Sequence, residues 1–400
     1  PGEPDENTRK LIDSEYSAWL NANGLNNKKS KKKRQPHNDS IPTAGRRRRR
    51  FFYRKMQNLY AKNKSVAAEQ LLEGTWEKGK ESPKLSMFDM IDAWKEIFTS
   101  KSLPDNGTPS QNQDTHWCLL KPITIEEIHS IRNTKDSSFG PYTITIKELN
   151  AIPAIESASH FNLWLLVGTQ PSEMCVGRTI FIPKVDDPTS LEHRPQTIAS
   201  VIIRLYHKIM AKRWEATLIL HSSQKGFLEG DGIAQHVWTL RAIIDEAKSN
   251  LKPIAMLFVD VKKAFHSVSH ETMLLALKRL GIPFPIVNYV KELYSRSVTI
   301  FQYNGACSET IKVGRGIKQG DPLSPLIFNA VIGWAISALD PILGVSLNGS
   351  IINCLAYADD IVLLSKTQLG LKSLPDSLVM DLGLGGWGTL VLGPKENLRL

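Results

Sequence analysis

Two adjacent aspartates, Asp359 and Asp360, lie between two apolar segments, residues 351–356 and 361–364. Short segments rich in Ile, Val and Leu are typical of buried strands, so the pair is predicted at the turn of a β-hairpin. Two carboxylates held together at the edge of a core repel each other and lose hydration, unless a cation compensates. Mg²⁺ prefers carboxylate oxygens and commonly binds phosphate as well. The alternative is a solvated turn, because Asp is frequent in turns.

A third carboxylate, Asp260, follows another apolar segment, residues 254–259. The strand predicted there leads towards a helical pattern from His270 to Leu280. Asp260 alone could be the cap of a following helix. Together with the aspartate pair, it supplies a carboxylate from a second strand. Such a set can hold two metal ions roughly 3.5–4 Å apart for displacement at phosphorus.

A glycine-rich loop lies between the two acidic segments, over residues 314–325. Gly316 and Gly320 would let the backbone take positive φ or approach a ligand closely. Ser324 and Pro325 are predicted as the N-cap and first residue of a helix that runs to Leu339. Glycines of this kind can also mark an ordinary loop that has no role in binding. Their place between two acidic strands favours a role at the same site.

The positive charge is concentrated near the N-terminus. The chain carries 50 Lys and Arg against 40 Asp and Glu, a net charge of +10, and residues 1–64 hold 17 against 6, or +11. The remainder is therefore close to neutral. Dense basic runs suit nucleic-acid phosphates or nuclear import, and a solubilising tail is the alternative. The residues predicted to contact nucleic acid are Lys31, Lys32, Lys33, Arg34, Arg46, Arg47, Arg48, Arg49 and Arg50.

The cysteines favour neither a zinc site nor disulfides, because Cys118, Cys175, Cys307 and Cys354 are isolated in the sequence. A reducing intracellular compartment is therefore expected.

An apolar stretch of membrane-spanning length is missing, so no membrane partner is expected. The length of 400 residues, 42% of them hydrophobic, allows two or three domains. The first residue is Pro1, and we expect the chain to be a piece of a longer polyprotein.

In their order, three segments resemble the palm of a reverse transcriptase: residues 258–265, 316–325 and 357–360. The resemblance is to non-LTR retrotransposons, in particular the lineage that inserts into ribosomal RNA genes. Further similarity to that lineage lies in residues 177–184, 193–195, 198–200 and 224–227 and in the basic block that begins at Arg46. Two alternatives stay open: a degenerate, non-catalytic RNA-binding copy, and a polymerase similar to a group II intron maturase or to telomerase.

The resemblance implies an RNA-directed DNA polymerase that extends a DNA primer on an RNA template, for target-primed integration. Its cofactors would be two Mg²⁺ ions, with Mn²⁺ as a substitute. Its partners would be template RNA, primer and target DNA, and dNTPs. It would act in the nucleus, with a cytoplasmic RNA–protein stage.

Site residues are also implied by the resemblance. Asp260, Asp359 and Asp360 match the metal-binding carboxylates. The other matches concern the incoming nucleotide: the basic pair that grips the triphosphate, the aromatic residue under the sugar that disfavours a 2′-hydroxyl, and the loop against the nucleotide and template base. They are, in that order, Lys184 and Arg194, Phe265, and Gln319 and Gly320. For Lys184 and Arg194 the alternative is a pair of solvated surface charges.

The fold implied is α+β, with the fingers and palm of a right-hand polymerase, a helical N-terminal extension, and a thumb that is absent or incomplete. Its expected parts are a disordered basic arm (1–50), a helical RNA-binding extension (51–175), reverse transcriptase fingers and palm (176–371), and a degenerate or truncated tail (372–400). In the tail, Pro375 and the glycine-rich residues 383–388 stand where the family carries a helix and a strand.

Two further expectations concern aromatic and polar residues. His266 stands where the family commonly has Asp, and a local loosening is expected there. Large aromatic residues could be core or could stack on bases. We predict core positions for Tyr206, Trp214, Phe227 and Trp238.

Overall fold

The computed structural model describes residues 3–25, 53, 57, 85–100, 114–132, 140–141, 144–185, 188–261, 263–381 and 390–392. Within these ranges the chain is mixed helix and sheet, as predicted. The helices are α1 Glu6–Ala22, α2 Met87–Thr99, α3 Ile125–Ile131, α4 Ile146–Ala151, α5 Ala154–Val167, α6 Val201–Thr217, α7 Gly232–Ser249, α8 Ala264–Ser267, α9 His270–Arg279, α10 Phe284–Ser295, α11 Ser324–Ser337 and α12 Gln368–Asp381. The strands are β1 Val176–Pro183, β2 His193–Ile198, β3 Ala255–Val261, β4 Val298–Tyr303, β5 Ala306–Lys312, β6 Val345–Leu347, β7 Ser350–Ile352, β8 Cys354–Tyr357, β9 Asp360–Ser365 and β10 Leu390–Leu392.

Two four-stranded sheets organise the described residues. In the first sheet the order is β2-β1-β4-β5, and β1 is antiparallel to β2 but parallel to β4. In the second sheet the order is β10-β3-β9-β8, and all neighbours are antiparallel. Strands β6 and β7 form a separate hairpin. In the part of the chain that is described, no helix is long and apolar enough to cross a membrane.

The second sheet has one covered face and one face that is open at one end. Val259 of β3 and Ile361 of β9 point into the main core, which also contains residues of α9 and α11. Successive strand residues point to opposite faces, so Phe258 and Asp260 share the other face. Helix α7 covers the far end of that face through Ile243. Phe258 is 54% exposed, and the face is therefore open next to Asp260.

Helix α2 packs on the first sheet. Its Met90, Trp94 and Phe98 are buried at helical spacing, against Phe181 of β1 and Phe301 of β4. Ser86 caps the helix in a capping box with Asp89. This small apolar cluster thus attaches helix α2 to one face of the first sheet.

The prediction of a disordered arm over residues 1–50 is wrong for residues 6–22, which form α1. The Asp5 carboxylate caps the helix by accepting a 2.8 Å hydrogen bond from the Thr8 N–H. Tyr16 and Trp19 are buried, and the Trp19 ring lies 4.4 Å from the His160 ring of α5. An apolar stripe at helical spacing thus overrides the polar composition of the segment. The predicted basic runs of residues 28–34 and 46–50 lie outside the described residues.

The prediction of a degenerate tail over residues 372–400 is wrong in part. Helix α12 continues through Pro375, and β10 pairs with β3 so that Val391 is the partner of Asp260. The helix forms because its Leu374 is buried in the main core, a gain that outweighs the hydrogen bond lost at an interior proline. Strand β10 is only three residues long. It lies at the edge of the second sheet and pairs with β3.

The core prediction holds for two of the four aromatic residues. Tyr206 and Trp214 of α6 are fully buried. It is wrong for Phe227 and Trp238, which are 45% and 73% exposed. Trp238 lies on the outer side of the amphipathic helix α7, and Phe227 lies in the turn region before that helix.

Replacing Trp19 with Ala is expected to lower the free energy of unfolding by about 3–5 kcal/mol, the usual range for truncating a buried Trp. The matched control is Leu11→Ala, because Leu11 is 59% exposed on the same helix and should change stability by less than about 0.5 kcal/mol. Urea denaturation of both variants measures the difference. Equal effects would contradict the packing of α1 on the core.

Candidate active site

Strands β8 and β9 form a hairpin with an acidic turn. Tyr357 pairs with Asp360, so Ala358 and Asp359 make the two-residue turn. Ala358 has φ of +57°, in the left-handed region common in such tight turns. The hairpin prediction is thus confirmed, with Asp359 in the turn and Asp360 as the first residue of β9.

The third carboxylate lies directly opposite the pair. Asp260 of β3 is the register partner of Asp360 in β9. Opposite Cα atoms in antiparallel strands are roughly 4.5–5.5 Å apart, and their side chains share a face. Asp260 and the Asp359–Asp360 pair, which are about a hundred residues apart in the sequence, therefore lie close together at the open end of the second sheet.

The electrostatics of Asp359 reflect this crowding. Burial raises the pKa of its carboxyl, and the neighbouring charges of Asp360 and Asp260 raise it further. Arg194 is close enough for its positive charge to lower the same pKa in part. The site thus holds excess negative charge, which a cation would relieve.

Arg194 and Lys184 lie at one end of the β1–β2 hairpin. Arg194 pairs with Ile182, and the Lys184 N–H donates a 2.9 Å hydrogen bond to the Glu192 carbonyl. Both side chains are exposed. The charge of Arg194 acts on Asp359 and that of Lys184 acts on His266. The first sheet therefore places Arg194 near the acidic end of the second, whereas Lys184 lies near His266.

The glycine-rich loop joins β2 to the segment around Phe265. The Thr197 N–H donates a 2.8 Å hydrogen bond to the Gln319 carbonyl, and the Ile317 N–H donates one of 2.6 Å to the Phe265 carbonyl. Gly320 has φ of +105° and is exposed, whereas Gln319 is half-buried. The following helix begins at Ser324, one residue earlier than predicted.

Phe265 is held between two other rings. It stacks on Phe328 with ring centres 4.5 Å apart and planes 10° apart, and it meets the edge of Phe227 at 5.9 Å. The stack leaves it half-buried. A ring fixed in this way can act as a rigid wall of the site.

His266 packs tightly, contrary to the expected loosening. Its ring lies 5.2 Å from Phe98 and 5.7 Å from Trp94, both in α2. Burial, followed by the charges of Lys263 and Lys184, lowers the pKa of His266 to about 4. The ring is therefore neutral at pH 7. It packs in the apolar contact between α2 and α8.

The loop is also anchored by a buried network that the sequence did not reveal. His207 Nδ1 lies 2.7 and 2.8 Å from the Asp321 carboxylate oxygens, and its Nε2 lies 2.8 Å from the Tyr289 hydroxyl. Burial alone would raise the pKa of Asp321, but the charge and hydrogen bond of His207 hold it below its usual value. Asp321 directly follows Gly320, so the hydrogen bonds between Asp321 and His207 anchor the glycine-rich loop to helix α6. No motif signalled it, because His207 lies inside a helical pattern.

The donor set fits divalent cations of the Mg²⁺ type, since all three side chains offer hard oxygen donors. None of the three carboxylates pairs with a cation of another described residue at salt-bridge distance. Across the described ranges, however, no group of three or more Asp, Glu, His or Cys side chains is arranged so that it could hold a metal ion.

The Asp359→Asn change is expected to raise the melting temperature of the metal-free protein at pH about 7. The raised pKa means that the folded state disfavours the carboxylate, so Asp359 costs stability above that pKa and the cost fades as the pH falls through it. Thermal melts at pH about 7 and about 4 measure the difference. A variant less stable than the wild type at neutral pH would contradict the excess negative charge.

Comparisons with known proteins identify a family for about half of the chain. Residues 182–380 match the family described as reverse transcriptase (RNA-dependent DNA polymerase). This segment therefore belongs to the reverse transcriptase family.

Polyproteins of retrotransposable elements are similar over a longer part of the chain. The retrovirus-related Pol polyprotein from type-2 retrotransposable element R2DM of Drosophila melanogaster is 31% identical over 84% of this chain and 31% of its own length. The Pol polyprotein from a type-1 element R2 of Bradysia coprophila is 32% identical over 80% of this chain and 37% of its own. The corresponding protein of Nasonia vitripennis is 35% identical over 64% and 25%. The chain thus spans between 25% and 37% of the length of these relatives. Their similarity to this chain confirms the resemblance to the R2 lineage of non-LTR retrotransposons.

Among solved structures, apo telomerase from Candida tropicalis truncated from its C-terminal domain is similar at a TM-score of 0.38 and 13% identity. The match covers 51% of this chain and 46% of that one. A likeness at that level carries no argument for a telomerase-like enzyme.

Proposed function

We propose that the chain is an RNA-directed DNA polymerase, which extends a DNA primer on an RNA template. The observation that carries the proposal is the register of Asp260 opposite Asp360, with Asp359 in the adjoining turn. Paired carboxylates on neighbouring strands suit a two-metal site for nucleotidyl transfer. Membership of residues 182–380 in the reverse transcriptase family supports the same reaction.

The metal ligands in this proposal are Asp260, Asp359 and Asp360, with Mg²⁺ as the ion and Mn²⁺ as its substitute. When bound, two such ions would activate the primer 3′-hydroxyl and neutralise charge on the departing pyrophosphate. Burial, and after it the charges of Asp360 and Asp260, raise the pKa of Asp359, and a bound cation would relieve the part of this shift that is due to repulsion.

The nucleotide would lie between the two sheets. Arg194 offers a bidentate fork and Lys184 a point charge for the triphosphate. Phe265 would lie under the sugar and exclude a 2′-hydroxyl, since its stacked ring cannot move aside easily. Gln319 and Gly320 would face the nucleotide and the template base, because their loop packs against β2 and against the Phe265 segment.

In this proposal residues 176–371 are the fingers and palm, with the first sheet in the fingers and the second in the palm. Residues 51–175 would be the N-terminal extension that contacts template RNA. The basic runs would bind nucleic-acid phosphates and direct the protein to the nucleus. The retrotransposon relatives support target-primed integration as the biological setting.

Primer extension tests the proposal directly. Purified protein with Mg²⁺, dTTP and oligo(dT) annealed to poly(rA) is expected to lengthen the primer, and omission of Mg²⁺ should abolish the products. RNA binding without any incorporation would overturn the polymerase proposal and favour a non-catalytic RNA-binding protein.

A further inference from the structure

The segment of residues 223–226 runs beside β8 and completes the edge of the second sheet. The Ala356 N–H donates a 2.8 Å hydrogen bond to the Ser223 carbonyl, and the Lys225 N–H donates one of 2.9 Å to the Ala356 carbonyl. Gln224 and Ala356 form a parallel bridge. This segment is part of the stretch that resembles the retrotransposon lineage, yet none of the assigned roles involves it.

The side chain of Gln224 extends this pairing into the acidic turn. Its Nε2 donates a 3.0 Å hydrogen bond to the Ala358 carbonyl, and its Oε1 accepts one of 2.8 Å from the Ala358 N–H. The same Oε1 accepts a 2.8 Å hydrogen bond from the Gly226 N–H. Gln224 is 1% exposed and Ala358 is 6% exposed, so water cannot replace these bonds readily. One amide therefore satisfies both backbone groups of the turn residue.

The conformation of Ala358 needs such a partner. Its φ of +57° lies in the left-handed region, which costs a non-glycine residue about 1–2 kcal/mol. Buried backbone groups without partners cost further free energy. The two hydrogen bonds from Gln224 offset both costs and select one orientation of the peptide groups that flank Ala358. Asp359 is the next residue, so that orientation sets the direction of its carboxylate.

The segment that carries Gln224 is itself anchored to helix α11. Asn329 of α11 is fully buried, and its Nδ2 donates a 2.8 Å hydrogen bond to the Gly226 carbonyl. A Cβ at Gly226 would lie 2.2 Å from the Ala358 nitrogen, so only glycine allows this approach. The neighbour of Asn329 in the helix is Phe328, on which Phe265 stacks. Helix α11 thus supports both the acidic turn and the aromatic wall.

We propose that Gln224 is a positioning residue, which holds the Ala358–Asp359 turn so that Asp359 and Asp360 lie beside Asp260 for the binding of divalent cations. The inference rests on the proposed function and deepens it. Partners that orient metal ligands typically contribute 10–100-fold to metal affinity or activity.

The test compares Gln224→Met with the wild type. Methionine has similar length and volume but cannot make the two hydrogen bonds. Mn²⁺ binding to the protein–primer–template complex, measured by electron paramagnetic resonance, is expected to weaken by about 10-fold or more. The Mg²⁺ concentration for half-maximal extension should rise by a similar factor, and high Mg²⁺ should restore part of the rate. The control is Gln235→Met, since Gln235 is exposed on α7 and should leave both quantities unchanged.

The readouts separate positioning from a merely structural role. A Gln224→Met protein that binds Mn²⁺ as tightly as the control would overturn the inference, whatever its melting temperature. If that variant does not fold, Gln224→Asn retains an amide that is one methylene too short, and it should weaken Mn²⁺ binding in the same direction; unchanged binding would again overturn the inference. Because Mn²⁺ binding needs no turnover, a wild type that binds Mn²⁺ but extends no primer would refute the proposed function and leave this inference intact.

Discussion

Asp260→Asn is expected to abolish dNTP incorporation, with a loss of about 10³-fold or more. The change removes one negative ligand from the position opposite Asp360, and a metal contribution of several kcal/mol corresponds to such a factor. Binding of primer–template should stay within about twofold, because contacts to phosphates supply most nucleic-acid affinity. Single-nucleotide incorporation and filter binding, measured on the same preparation, separate the two effects.

The matched control for that change is Asp245→Asn. Asp245 is an exposed carboxylate on α7 that pairs with Arg241 at 2.8 Å, and an exposed ion pair of this kind contributes little to stability. Its loss should leave incorporation within about twofold of the wild type. A rate for Asp260→Asn close to that of the control would show that β3 contributes no ligand.

Phe265→Ala is expected to relax sugar discrimination, so that the preference for dNTP over rNTP falls roughly 10²-fold. The wild-type ring is clamped by Phe328 and Phe227, so it cannot yield to a 2′-hydroxyl. Alanine would leave space for that oxygen. Steady-state incorporation of dTTP and UTP on the same primer–template measures the ratio.

The control for the sugar prediction is Phe284→Ala, because Phe284 is 44% exposed at the start of α10. Phe265→Tyr retains the ring and should keep the preference for dNTP. If Phe265→Ala discriminates as strongly as Phe265→Tyr, the ring does not contact the sugar.

The elements around the acidic residues could be predicted because their signals are local. Alternating and continuous apolar segments marked β3 and β9, and the hairpin followed from the aspartate pair between two such segments. Helix α9 spans His270–Arg279, within one residue of the prediction. Convergence of Asp260 on the pair could be inferred only because three segments in order resembled a known palm.

Other features depend on tertiary contacts that no local pattern encodes. Helix α1 did carry a local signal, its apolar stripe, but the partners of its side chains are distant in the chain: His160 for Trp19, and Glu292 for Arg9 at 2.9 Å. The amide of Gln224 is significant only because Ala358 lies against it. His266 departs from the family pattern, yet it is accommodated by aromatic residues of α2. Such pairings link residues that are far apart in the chain, so composition and periodicity did not reveal them.

We propose above all that Asp260, Asp359 and Asp360 jointly bind two divalent cations. A crystal structure of the protein with primer–template, Mn²⁺ and a non-hydrolysable dNTP analogue tests this most directly, because anomalous scattering locates Mn²⁺. We expect two anomalous peaks for Mn²⁺, roughly 3.5–4 Å apart, in contact with carboxylate oxygens from both β3 and the β8–β9 hairpin. Peaks that contact neither Asp260 nor the hairpin aspartates would contradict it.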